Sequence, residues 1–140
     1  TNTDGWKTAL AHTIAHEYHH VIMHETSEWT TMRDALIYEG MAEHFREAVI
    51  GGDKAPYVTY NSKETCLQYW QTLQPYLKDT SEELYNQVFF GGGEYPQWLG
   101  YSLGYLLIER YQEQYNESWD TISFRSTQEI TNRIIENQLA

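Results

Sequence analysis

Four histidines stand at four-residue intervals near the start of this chain: His12, His16, His20 and His24. An α-helix brings such a row onto one face, because side chains at i and i+4 lie one turn apart. The Ala- and Ile-rich residues around them read as a first helix, from an N-cap at Asp4 to about Glu25. The rest of the chain continues in the same vein. Thr30 or Thr31 is expected to cap a second helix that stops at Gly51-Gly52. After a loop with Pro56, Tyr57-Val58-Thr59-Tyr60 has the composition of a brief extended stretch. Asn61 or Ser62 opens a third helix, which ends around Pro75 to Lys78. Thr80 with Glu83 makes a capping box for a short fourth helix. Phe89-Phe90-Gly91-Gly92-Gly93 is the strongest break, a hinge or close-approach loop by composition. Pro96 is expected to start a fifth helix through about Tyr115, and Ser126 with Glu129 to cap a last one. With no long alternating pattern, repeat or linker, the 140 residues read as one all-α domain, residues 1–140.

Within the histidine row, His16-Glu17-Tyr18-His19-His20 is an HExxH motif. Its spacing lets the imidazoles of His16 and His20 reach one tetrahedral Zn²⁺. Glu17 then stands beside the metal's open position, as the base that takes a proton from zinc-bound water. Composition alone yields about 0.03 such motifs in a chain of this length, and the rival reading is a polar helix with incidental histidines. His12 and His24 lack the rest of the motif and read as surface or supporting groups.

Eighteen residues after His20 comes Tyr38-Glu39-Gly40-Met41-Ala42-Glu43. That interval allows the first helix to end and a second to return along it, presenting Glu39 as a third ligand. Gly40 and Ala42 are small and are expected to let the second helix approach the first closely. Glu43 lies one turn beyond Glu39, placed to accept the outer N–H of one motif histidine. Read singly, Glu39 and Glu43 are also what solvated acids on a helix look like.

His16-Glu17-x-x-His20, 18 residues, then Glu39-Gly40-x-Ala42 resembles the gluzincin pattern of zinc aminopeptidases. The wider strings Thr13–His20, Glu39–Phe45 and Gly100–Tyr105 are similar to the bacterial family of predicted zinc-dependent proteases, a domain of unknown function. The resemblance covers roughly residues 10 to 139. It implies a zinc-dependent metallopeptidase with His16, His20 and Glu39 on the metal and Glu17 as general base. Gluzincin aminopeptidases also carry a helical Tyr-x-x-Gly whose tyrosine donates to the oxyanion. Tyr101-Ser102-Leu103-Gly104 looks like that stretch, with Tyr101 as donor, Tyr105 one turn later in reserve, and Gly104 at a close helix crossing. Such enzymes bind substrate along a β-sheet edge before the active-site helix. No strand-rich half is present here, so this is expected to be the C-terminal helical part of a longer protein, or else its groove is helical.

The net charge of −11 argues against nucleic acid and anionic membrane surfaces as partners, and the resemblance implies a peptide or protein substrate. The single cysteine, Cys66, excludes an internal disulfide and a cysteine-based zinc finger, and fits a cytoplasmic setting. The chain begins at Thr, so a targeting segment upstream stays open. Two other readings stand beside the peptidase. One is a regulatory or binding module with a closed structural zinc site, completed by His44 or His24. The other is a metal-free bundle whose 12 Tyr and 5 Trp form an interface.

Overall fold

The computed structural model describes the backbone of residues 5–26 and 29–140, and the side chains of residues 5–23 and 29–140. Eight α-helices form among the described residues: α1 (Gly5–Thr26), α2 (Met32–Ile50), α3 (Pro56–Thr59), α4 (Lys63–Leu73), α5 (Glu82–Phe90), α6 (Leu99–Tyr115), α7 (Trp119–Ile122) and α8 (Thr127–Glu136). A 3₁₀ turn, Gln74–Tyr76, extends α4. No strand forms among them, and one isolated bridge pairs Gly92 with Tyr95. The chain is a single all-α unit, as its composition and periodicity predict.

Local chemistry accounts for the helix ends. Thr31 accepts from the Asp34 N–H while Asp34 accepts from the Thr31 N–H, a reciprocal box that starts α2. Gly51, at φ 75°, ends it. Ser62, Ser81, Ser118 and Ser126 cap α4, α5, α7 and α8 in the same side-chain-to-backbone manner. The expected N-cap at Asp4 lies outside the described residues.

The expected type or start of three elements is corrected. Residues 57–60 are not extended, because Pro56 sits at N1 and its fixed φ starts the one-turn helix α3. The cap of α5 is Ser81 rather than Thr80, and Thr80 precedes the helix. Pro96 does not start α6. Trp98 adopts the left-handed conformation, φ 61° and ψ 19°, so helical geometry begins only at Leu99.

The core lies between α2 and α6. Leu36, Ile37 and Met41 of α2 meet Leu103, Leu107 and Ile108 of α6, all fully buried. The two helices cross at glycines. A Cβ on Gly40 would sit 2.2 Å from the Gly104 carbonyl oxygen, and one on Gly104 would sit 2.3 Å from that of Leu36. Gly104 thus makes the expected close crossing. Gly40 faces α6 and not α1 as anticipated, because Glu39, one residue earlier, takes the face turned to the histidines. α1 packs chiefly on α2. Its outward side carries Trp6, Leu10, Ile14, Tyr18 and Val21, each about half exposed or more.

Candidate metal centre

α1 and α2 each present one buried polar face to the other. His16, His19 and His20 of α1 are all buried, as are Glu39 and Glu43 of α2. A charged carboxylate in such a position requires strong partners. The helix periodicity aims His16 and His20 at Glu39: His16 Nε2 lies 3.1 Å and His20 Nε2 3.4 Å from Glu39 Oε2. The two Nε2 atoms are 2.9 Å apart. A tetrahedral zinc with bonds near 2.0–2.1 Å separates its ligand atoms by about 3.3 Å. These three edges therefore approach the face of such a tetrahedron. Among the described residues, His16, His20 and Glu39 form a cluster able to hold one ion.

Glu39 Oε2 supplies the test of fit. It is buried and has no well-aligned hydrogen-bond donor, only the two imidazole nitrogens beside it. A carboxylate oxygen facing two imidazole nitrogens, orphaned in this way, suits a cation between the three atoms. The donor set of two nitrogens and one oxygen is one that zinc accepts, with a fourth position left for water.

The electrostatics follow from the same crowding. Burial pushes His16 down, but its contacts with Glu39 and Glu43 outweigh that and hold it up at about 9. Burial also opposes charge on Glu39, yet the imidazoles of His16 and His20 pull it down to about 2. Glu39 is therefore a carboxylate at any ordinary pH.

Glu43 is the anchor behind His16. Its Oε1 accepts from His16 Nδ1 at 2.7 Å and from the Tyr57 hydroxyl at 2.5 Å. Its Oε2 accepts from Arg46 Nε at 3.0 Å. With Nδ1 occupied by that donation, His16 turns Nε2 toward Glu39. Burial raises the Glu43 pKa, but His16, Tyr57 and Arg46 together bring it below the usual carboxylate range. Arg46 also reaches His12 Nδ1 at 2.6 Å and the Asp53 carbonyl at 3.2 Å.

Arg46 and Tyr57 were not singled out from sequence. A signal for Arg46 existed: it stands three residues after Glu43 on one helix, close enough to pair. Tyr57 had none, since its role depends on α3 folding back 14 residues later.

Glu17 is exposed and lines the same cleft as His16 and Glu39, a cavity of about 730 Å³. Tyr101 lines it too, with its ring 4.9 Å from that of Tyr57. Burial first, and then the Glu39 carboxylate, Tyr85 and the Glu17 carboxylate, raise the Tyr101 phenol. It stays a protonated donor at neutral pH. The reserve tyrosine does not reach the cleft, because the Tyr105 hydroxyl donates to Glu47 Oε2 at 2.7 Å. His44 is also turned away, stacked on Tyr105 with Nε2 2.9 Å from the Tyr105 carbonyl oxygen. It cannot complete a four-ligand site. The His24 side chain lies outside the described residues. His19 is a core residue, with Nε2 on the Ser123 hydroxyl at 3.1 Å and burial pulling it down to about 4.

The fold and site together define an all-α chain in which an HExxH helix meets a Glu-bearing helix. The chain belongs to the family described as predicted Zn-dependent protease (DUF2268), which it matches over residues 2–132. It is also 32% identical over 106 residues to the uncharacterized protein YjaZ of Bacillus subtilis (strain 168). That match covers 70% of this chain and 40% of YjaZ, so the chain spans less than half the length of that relative. No solved structure matches it.

Proposed function

We propose that this chain is a zinc metallopeptidase domain that hydrolyses peptide bonds in a peptide or protein substrate. The observation that carries the reading is the convergence of His16 Nε2, His20 Nε2 and the orphaned Glu39 Oε2 on one point of a cleft that Glu17 and Tyr101 also line. The family's description supports the same reaction class.

His16, His20 and Glu39 would hold the zinc. When bound, the metal supplies Lewis acidity that polarises a carbonyl and lowers the pKa of water. Glu17 accepts the proton of the attacking water and returns it to the leaving amine. Its exposure in the cleft leaves it room to do both. Tyr101 donates its hydroxyl proton to the oxygen on which negative charge develops. Glu43 holds His16 in the tautomer whose Nε2 is free for the metal. Arg46 and Tyr57 in turn hold Glu43.

The test is metal content beside cleavage of a broad peptide library, on wild type, Glu17→Gln and Tyr101→Phe. Glu17→Gln is expected to keep its zinc and lose turnover. Tyr101→Phe is expected to lose about 10²–10³ in kcat with little change in KM. Intact turnover in Glu17→Gln would sink the assignment of the base.

A further inference from the structure

Two rings of the cleft, Phe90 and Trp98, have no part in the proposed chemistry, and they continue the wall that Tyr57 and Tyr101 begin. Phe90, Trp98, Tyr57 and Tyr101 line it beside the histidine–glutamate cluster. The Tyr57 ring lies 4.9 Å from that of Tyr101 and 6.4 Å from that of Trp98, and Phe90 lies 6.3 Å from Tyr101. These spacings make a contiguous aromatic surface. Phe90 is 54% exposed, while its neighbour Phe89 is fully buried, so the chain sends one phenylalanine to the core and leaves the other at the cleft.

The backbone gives a second, independent sign. Trp98 sits at φ 61°, a conformation that bulky residues adopt only at a cost and that Gly or Asn would take more readily. Its side chain makes no capping hydrogen bond to α6 that would account for a tryptophan at this place. Strained residues of this kind gather at binding sites, where the surrounding structure holds them. Here the holding structure is the glycine loop. Gly91, Gly92 and Gly93 all have positive φ, and a Cβ on Gly91 would sit 3.1 Å from the Gln97 Cα. The loop therefore folds back tightly on residue 97 and carries Trp98 to the cleft that Phe90 already lines.

We propose that this wall is a side-chain subsite. It takes the large apolar side chain, aromatic or branched aliphatic, of a substrate residue flanking the bond held at the cluster. Trp98 is its specificity-determining residue. The proposal rests on the peptidase reading for the substrate class. None of the four rings carries a charge: the Tyr57 hydroxyl is taken by Glu43, the Tyr101 hydroxyl serves the reacting bond, and the charged residues of the cleft, Glu17, Asp53 and Lys54 among them, are not part of this aromatic face. An apolar side chain loses water against four rings.

The experiment is equilibrium binding, so that it does not depend on turnover. N-acetylated peptide amides that differ only at a central Phe, Leu, Ala, Asp or Lys are titrated calorimetrically into the zinc-loaded Glu17→Gln chain. Phe and Leu peptides are expected to bind on the order of tenfold tighter than the other three. Trp98→Gly removes the wall's ring while relieving its backbone, and Phe90→Ala removes an exposed ring. Each is expected to flatten the preference while far-UV circular dichroism and cooperative unfolding stay as in the parent. A tryptophan of purely structural importance would instead weaken all five peptides alike. Equal binding across the series, a preference for Asp or Lys, no binding at all, or a preference that survives both substitutions would overturn the proposal. Trp98-dependent binding without cleavage by wild type would keep the subsite and sink the hydrolase reading. Cleavage without side-chain preference would do the reverse.

Discussion

Glu43→Gln is the most informative single change to the site, because it keeps size and one acceptor while removing one charge. Glu43 is 1% and Arg46 4% exposed, so their contact is an ion pair inside the protein. In the variant, the amide oxygen can still accept from His16 Nδ1 and the Tyr57 hydroxyl. The amide nitrogen then meets Arg46 Nε, donor against donor. Breaking one half of a buried pair costs about 3–5 kcal/mol. Arg46 retains His12 Nδ1 and the Asp53 carbonyl, which places the loss at the lower end, about 3 kcal/mol. For a chain of this size that lowers Tm by about 10 °C. Outer partners of metal-binding histidines are worth 10–100-fold in affinity, and since His16 keeps an acceptor the loss is expected near tenfold. Thermal melts of the metal-free protein and chelator competition for zinc measure the two effects. Adding Arg46→Met should restore part of the stability, since the stranded guanidinium is then gone. A Tm within about 3 °C of wild type, with zinc affinity unchanged, would refute the idea that Glu43 anchors His16 through a charged pair.

The remaining predictions concern protons and packing. In the metal-free protein His16 is raised from 6.5 to about 9, so the stability it contributes is fully present below pH 6.5 and is lost as pH rises through 9. The loss is about 3 kcal/mol in denaturant titrations. The depressed Glu39 reports the same contacts from the other side and adds nothing to that figure. Zinc must displace that proton, so its measured affinity should rise about tenfold per pH unit up to pH 9. Gly104→Ala places a Cβ 2.3 Å from a backbone carbonyl that cannot swing aside, and should cost about 3 kcal/mol of unfolding free energy.

The cluster was legible in the sequence because helices convert spacing directly into geometry. His16 and His20 share a face at any register, and Glu39 with Glu43 repeats that logic one helix later. The same rule misjudged Gly40. Spacing alone says which residues share a face, not which neighbour that face meets, and α6 rather than α1 took it. Tyr57 and Trp98 were hidden for a different reason. Tyr-Val-Thr-Tyr carries strand propensity that Pro56 overrode, and nothing local announces that a tryptophan will hold a left-handed backbone. Such a conformation is imposed by the loop around it, and loop closure is a tertiary property. Tyr101 and Tyr105 shared one motif and differed only in partner, which the Glu47 carboxylate decided.

His16, His20 and Glu39 are proposed to hold one zinc ion. Elemental analysis of the purified chain after zinc loading and exhaustive dialysis, with Glu39→Ala and Glu17→Gln beside wild type, tests this assignment most directly. One zinc per chain is expected in wild type and in Glu17→Gln, and its loss in Glu39→Ala. A wild-type chain that retains no zinc, or a Glu39→Ala chain that retains it as firmly as wild type, would contradict it.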